Sequence, residues 1–312
     1  MTAVTFTPKP LPPFRLDLTV WALRRRPDNI VDRWDGRTYR RVLVIGNEPV
    51  EIAVTQDGPP EAPSLQVTAT AARLPADVEP TAAGLIDWTL GIQQDLTGFY
   101  DLAGKDIVLD LLAERFHGMK PPRYPSLFEC LINAVACQQV TLTLGIRLLN
   151  RLIERHGLGL SSGTGVAHAF PHPEDLAGVA PESLRDLGFS RQKARTVVEL
   201  AQAFAAGEVD PGELEAMDDE AAVARLTELR GIGRWSAEYA LLRGLGRLEV
   251  FPGNDVGARK NLRNWLDITG PLDYDGVNRT LDRWEPYAGL VYLHLLLDRL
   301  ANAGYVEATG VS

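Results

Sequence analysis

The spacing of apolar residues changes period once along the chain. Alternation, the mark of half-buried strands, runs through Phe14-Arg15-Leu16-Asp17-Leu18, Tyr39 to Ile45, Val50 to Val54 and Leu65 to Ala69. Trp34-Asp35-Gly36-Arg37-Thr38 reads as a turn into a strand, and Asn47 and Gly58 punctuate the pattern. Leu85, Ile86, Leu90, Gln94 and Phe99 then suggest one helix covering the sheet. After Met119-Lys120-Pro121-Pro122-Arg123-Tyr124-Pro125, a plausible linker, strand signals largely vanish. The expected fold is α+β: an N-terminal antiparallel sheet domain with few helices over 1–115, then a mostly α-helical region over 116–312.

The helices of the second region have readable ends. Ser126 caps a run with Leu127, Phe128, Leu131, Ile132, Val135 and Ala136 on its apolar side. The run breaks at the polar elbow Cys137-Gln138-Gln139 and resumes at Val140, Leu144, Ile146, Leu148 and Leu149. Ser183 to Leu187 stops at Gly188, and Ser190 caps the next helix, with Arg191, Lys193 and Arg195 near its start. Asp218 caps a helix with Ala222, Val223, Leu226 and Leu229 that stops at Gly231, and a partner with Trp235, Ala237, Ala240, Leu241 and Leu242 runs to Gly244. The two form a helical hairpin over about 219–244. A last, strongly apolar helix spans Trp284 to Ala301.

The hairpin turn, Gly231-Ile232-Gly233, lets backbone N–H groups approach an anion at a helix N-terminus. An ordinary packing corner has the same pattern. Behind it stands Val250-Phe251-Pro252-Gly253-Asn254-Asp255, which offers a carboxylate that also has the position of an N-cap. Trp235 and Tyr239, at i and i+4, share a helix face, either as core or as part of a site.

Composition narrows the class. The 312 residues, 45% hydrophobic and 23% charged, suit a soluble protein of two domains. No apolar run approaches membrane-spanning length, and Met1 to Pro13 lacks a signal-peptide core, so a cytoplasmic address is expected, nucleoid-associated in a prokaryote. Cys130 and Cys137 are too few for a disulfide framework or a four-thiolate cluster, and the five histidines show no zinc spacing. The net charge of −9 argues against bulk attraction to nucleic acid, so such binding needs a local basic surface. Arg225, Arg230, Arg234, Arg243, Arg247, Arg259, Lys260 and Arg263 offer one, set against Glu228, Glu238, Glu249 and Asp255.

The segment Leu229-x-Gly231-Ile232-Gly233-Arg234-Trp235-Ser236-Ala237, then Arg243-Gly244, then Phe251-Pro252-x-x-Asp255, resembles the helix-hairpin-helix, Gly/Pro-rich-loop and aspartate signature of the DNA glycosylase superfamily. Within it, the chain is similar to the inducible 3-methyladenine glycosylases of type II. The resemblance extends to Phe128–Val140, Asp186-Leu187-Gly188-Phe189-Ser190-x-x-x-Ala194 and Arg283-Trp284-x-Pro286-Tyr287, spanning most of 115–300.

What the resemblance implies is an enzyme that flips an alkylated purine out of duplex DNA and hydrolyses its N-glycosidic bond, leaving an abasic site. It gives Asp255 the developing oxocarbenium charge to offset, and Trp235, Tyr239 and Tyr287 an aromatic base pocket. It gives Gly231, Gly233, Arg234, Ser236 and Arg259 contacts to the DNA backbone, and Gln138 or Gln139 the wedge that fills the emptied stack. Relatives that nick the strand place a Schiff-base lysine where this chain has Trp235, so a monofunctional enzyme is expected. The implied partner is double-stranded DNA with damaged bases, bound by a monomer without cofactor or membrane. A monovalent cation in the hairpin turn is left open. An oxidised-purine glycosylase and a non-catalytic DNA-binding protein are the alternatives.

Overall fold

The computed structural model describes residues 1–162 and 165–307. Strands β1 (Thr2–Phe6), β2 (Arg33–Trp34), β3 (Thr38–Ile45), β4 (Glu48–Asp57) and β5 (Ser64–Ala71) form one antiparallel sheet in the order β1-β5-β4-β3-β2. The register sets Val54 opposite Tyr39 on one side and Val67 on the other. Alternation therefore gathers Val50, Ile52, Val54, Leu65, Val67 and Ala69 on one face, covered by α1 (Leu16–Arg24) and α2 (Val78–Leu90). The sheet and its position agree with the α+β expectation.

Two local expectations fail here, and one strand is unexpected. Phe14 to Leu18 is no strand, because Leu16 opens α1, in which every residue but Asp17 is buried. A short helix buried on all sides has no apolar stripe, so five residues of alternation mislead. The unexpected one is the edge strand β1, within the Met1 to Pro13 segment, paired to β5. The helix expected over Leu85 to Phe99 is two, since α2 ends at Gly91 in the left-handed region (φ 58°) before α3 (Thr97–Ala103) begins. Helix α4 (Ile107–Arg115) follows, capped by the Asp106 carboxylate on the N–H groups of Val108 and Leu109.

Beyond residue 120 the chain is helical, with one exception. Helix α5 (Leu127–Cys137) is capped by Ser126 and α6 (Leu142–His156) by Thr141. An unexpected two-stranded ribbon, β6 (Gly159–Ser162) and β7 (Gly165–His168), then packs Leu160 against Val42 on the outer face of the sheet. Next come α7 (Pro173–Ala177), α8 (Pro181–Asp186), α9 (Arg191–Ala205), α10 (Pro211–Ala216), α11 (Asp219–Thr227) and α12 (Arg234–Ala240). Helix α12 continues as a π turn, Leu241–Leu245, and stops at Gly246 (φ 81°), not at Gly244. Gly244 instead lets the turn press on α5, where a Cβ would lie 3.0 Å from Leu127 Cδ1. Helices α13 (Val256–Trp265), α14 (Tyr274–Leu281) and α15 (Ala288–Asn302) complete the chain, so the last helix opens four residues after Trp284.

Two packing features position the site. Leu18, Trp21 and Ala22 of α1 share a core with Phe251, Ala258 and the apolar face of α15. Arg41 of β3 is buried between Asp32, at 2.7 Å, and Glu129 of α5. A buried cation is tolerable only when paired in this way, and the pairing ties the sheet to the helices that carry the elbow. Among the described residues no helix is long and apolar enough to cross a membrane.

Candidate active site

Asp255 is the N-cap of α13, and its Oδ1 accepts from the Ala258 N–H at 2.8 Å. Its Oδ2 accepts two further bonds, from Trp235 Nε1 at 3.1 Å and from the Tyr292 hydroxyl at 3.2 Å. The cap and the site reading therefore hold together, because the cap uses one oxygen and the aromatic donors hold the other. Three donors on two oxygens fix the carboxylate's rotamer and turn one edge of it toward the indole. Burial and the Asp255 charge both raise the Tyr292 pKa well above the ordinary phenol value, so this hydroxyl stays a donor. Sequence reading missed Tyr292, which sits within the apolar run of α15 and reads there as core.

The hairpin supplies the opposite side. Gly231 has φ 79°, and a Cβ there would lie 2.2 Å from Thr196 Oγ1 of α9, so only glycine fits. Gly233 is different: it is the N-cap residue of α12 with φ −99°, and a Cβ would meet nothing within 4 Å. One glycine packs the hairpin down, and the other leaves its outer side open.

The remaining expected site residues separate. Gln138 is a brace, its Nε2 donating to Gly231 O and to Ser236 Oγ, both at 2.9 Å. It is not free to wedge, and the buried Ser236 side chain is not free to meet a backbone phosphate. Gln139 is exposed in the left-handed region (φ 53°) at the tip of the elbow. Arg234 donates to Glu238 at 2.8 Å, Glu220 at 2.6 Å and Tyr274 at 3.1 Å. Partial burial opposes its charge, but these bonds outweigh burial and raise its pKa further above the usual arginine value. With two carboxylates on it, Arg234 is a strut of the hairpin, not an open cation. Glu238 is itself buried, which raises its pKa, while Tyr274, Arg234 and the Gly253 N–H pull it back; it links the hairpin to the turn before Asp255.

The basic surface shrinks accordingly. Arg225 pairs with Glu228, Arg230 with Glu199 and Arg247 with Asp219, while Arg243 is buried. Arg259, Lys260 and Arg263, on the helix that Asp255 caps, have no carboxylate partner among the described residues. Of the expected pocket aromatics, Trp235 is half-buried and stacks on Tyr239, centroids 5.7 Å apart. Tyr239 is buried, with its hydroxyl 3.2 Å from that of Tyr124, so it is a floor beneath the indole instead of an open wall. Tyr287 is half-buried at the start of α15 and packs edge-on against Phe99 at 5.6 Å, belonging to the second core.

The chain is similar to known DNA repair proteins. The family model for HhH-GPD superfamily base excision DNA repair proteins matches residues 132–286. A DNA-3-methyladenine glycosylase of Bacillus subtilis (strain 168) is 33% identical over 200 residues, covering 63% of this chain and 66% of that protein. The chain thus spans just under two thirds of that relative's length. The 3-methyladenine DNA-glycosylase structure from Archaeoglobus fulgidus superposes with a TM-score of 0.80 at 23% identity, covering 95% of this chain and 98% of that one. The Schizosaccharomyces pombe 3-methyladenine DNA glycosylase, solved in complex with abasic DNA, is 26% identical with a TM-score of 0.54, covering 64% and 94%. With its hairpin, its Pro-Gly turn and the aspartate that follows all inside the matched span, the chain belongs to the HhH-GPD superfamily of base excision DNA repair proteins.

Proposed function

We propose that the chain is a monofunctional DNA glycosylase that extrudes an alkylated purine, such as 3-methyladenine, from duplex DNA and hydrolyses its N-glycosidic bond. The observation that carries this reading is the Asp255 carboxylate, held between an indole and a phenol at the N-terminus of α13. As the bond to the base breaks, positive charge builds on the sugar, and a fixed anion beside it lowers the barrier without reorganising. Trp235 offers the stacking face for the base, and Tyr287, the N-cap residue of the helix that carries Tyr292, the opposing one. Gly233, with its outer side open, and Arg259 on α13 take the DNA backbone, and the exposed Gln139 fills the vacated stack.

Strand nicking by a Schiff base needs an amine at the sugar. At the hairpin position next to Asp255 stands the Trp235 indole N–H, which cannot act as that nucleophile. Water is then the attacking group and an abasic site the product.

Asp255→Asn is the test. Release of 3-methyladenine from methylated duplex DNA falls by at least about a hundredfold, the scale of losing one preorganised electrostatic group, while binding to an abasic duplex persists. Full release by the variant, or none by the unaltered protein, overturns the reading. Strand cleavage trapped by borohydride overturns its monofunctional part.

A further inference from the structure

Two arginines from distant parts of the chain meet at the edge of the site with no carboxylate bonded to either among the described residues. Helices α1 and α15 share a core, and Trp21 of α1 stacks on Tyr305, beyond the end of α15, with ring centroids 5.4 Å apart. That packing brings the turn after α1, which carries Arg26, to the last turn of α15, which carries Arg299. Burial first and the Arg299 charge second lower the Arg26 pKa below the usual arginine value, so the two guanidinium groups feel each other. The acids nearby are engaged elsewhere: Asp28, which also faces Arg26, lies 3.6 Å from Arg147, and Asp298 holds Arg115. Arg26 is half-buried and Arg299 exposed, so the pair is open to solvent on one side. Like charges held together without a counter-charge repel, and an anion arriving from outside would relieve them.

The pair bridges the two sides of the site. Arg26 Nε donates to Thr143 Oγ1 at 3.3 Å, in the first turn of α6, just beyond the elbow that carries Gln139. Arg299 reaches the other side, where its Nη1 is 3.8 Å from the place a Cβ of Gly257 would take; the same point is 3.2 Å from Asp255 Oδ1. Gly257 belongs to the first turn of α13, whose leading N–H groups, those of Val256 and Gly257, have no acceptor among the described residues. The dipole of that helix adds to the arginines' preference for an anion. Tyr292, which holds Asp255, stands two turns before Arg299 on the same face of α15.

We propose that Arg26 and Arg299 together grip one phosphate of the damaged strand, next to the extruded nucleotide, and so hold the backbone between the Gln139 elbow and Asp255. This rests on the glycosylase reading and deepens it, adding a grip from the turn after α1 and from α15 to the one at the hairpin. Guanidinium groups suit the task because their paired N–H donors match phosphate oxygens. The phosphate offsets the charge of the pair, so a cationic lesion such as 3-methyladenine is still accepted. Both arginines are binding residues and neither is catalytic.

The test is binding to a fluorescent duplex with a tetrahydrofuran abasic site, measured over a series of salt concentrations. Arg26→Gln and Arg299→Gln each weaken binding by about tenfold at low salt and reduce the slope of log Kd against log salt by about one. The double variant loses less than the two single losses together, because both side chains hold the same phosphate. Arg299→Lys, which keeps the charge, keeps most of the slope.

A neutral methylphosphonate at the linkage 5′ or 3′ of the abasic site identifies the phosphate and needs no variant to fold. At one of the two linkages the unaltered protein loses the same unit of slope, and there the arginine variants bind as it does. Unchanged slopes in both variants, or the same loss on charged and methylphosphonate duplexes at both linkages, overturn the proposal. An unaltered protein that binds abasic duplex no better than intact duplex sinks the glycosylase reading itself, whereas a preference for abasic duplex with unchanged slopes sinks only the two-arginine grip.

Discussion

Replacing Gly231 and Gly233 one at a time by alanine separates two glycines that look interchangeable in the sequence. At Gly231 the backbone is left-handed, φ 79°, which costs a residue with a Cβ roughly 1 kcal/mol. The new methyl would also lie 2.2 Å from Oγ1, 2.8 Å from Cγ2 and 3.0 Å from Cβ of the buried Thr196. Relieving such overpacking costs about 1–3 kcal/mol. Any shift of the turn also disturbs the bond from Gln138 to Gly231 O. Gly231→Ala is therefore expected to destabilise the protein by about 2–4 kcal/mol, or on the order of 3–6 °C in Tm for a chain of this length. Gly233→Ala, at φ −99° with open space around it, changes stability by less than about 0.5 kcal/mol. The check is urea and thermal unfolding of both variants, with Gly231→Ala repeated in a Thr196→Ala background. There the two shortest contacts, with Oγ1 and Cγ2, disappear and only the 3.0 Å approach to Cβ remains, so the double variant loses less than the two single losses together, by about 1–3 kcal/mol. Equal stability of the two glycine variants, or simple additivity with Thr196→Ala, refutes the reasoning.

Two further outcomes follow from the same geometry. Gln138→Ala loses about 1–2 kcal/mol of stability because Gly231 O and Ser236 Oγ lose their shared donor. Gln139→Ala unfolds like the unaltered protein but flips a fluorescent base analogue out of duplex DNA less well; normal flipping would remove the wedge role. Burial lowers the His294 pKa from 6.5 to about 4, so between these values the folded protein binds fewer protons than the unfolded chain. Its contribution is complete above pH 6.5 and declines by about 3 kcal/mol as pH falls to about 4. A Tm series over this range should show a slope that His294→Gln flattens, and an unchanged slope would place the acid sensitivity elsewhere.

Much of the site was legible from the chain because its parts are local. The Gly231–Gly233 turn, the caps at Ser126, Asp218 and Asp255, and the spacing from hairpin to aspartate all act within a few residues, so their chemistry shows in the spacing. Roles that depend on a second segment were not legible. Gln138 and Gln139 are neighbours of one type, yet one is tied to the hairpin and the other is exposed. Arg234 looked like an open cation until Glu220 and Glu238 were folded onto it.

The sequence by itself determined the α+β order, the hairpin and the helix cap at Asp255, since helix caps, glycine turns and apolar periods are short-range physics. Only the tertiary structure decided what surrounds Asp255. Tyr292 arrives 37 residues later along the chain, and Arg25 reaches Tyr239 across 214. Burial then fixed their meaning: the same guanidinium or phenol that water would screen at the surface becomes, with water excluded, a committed donor or an unscreened charge. No pattern along the chain carries that information, because which charges lose their water depends on the whole packing.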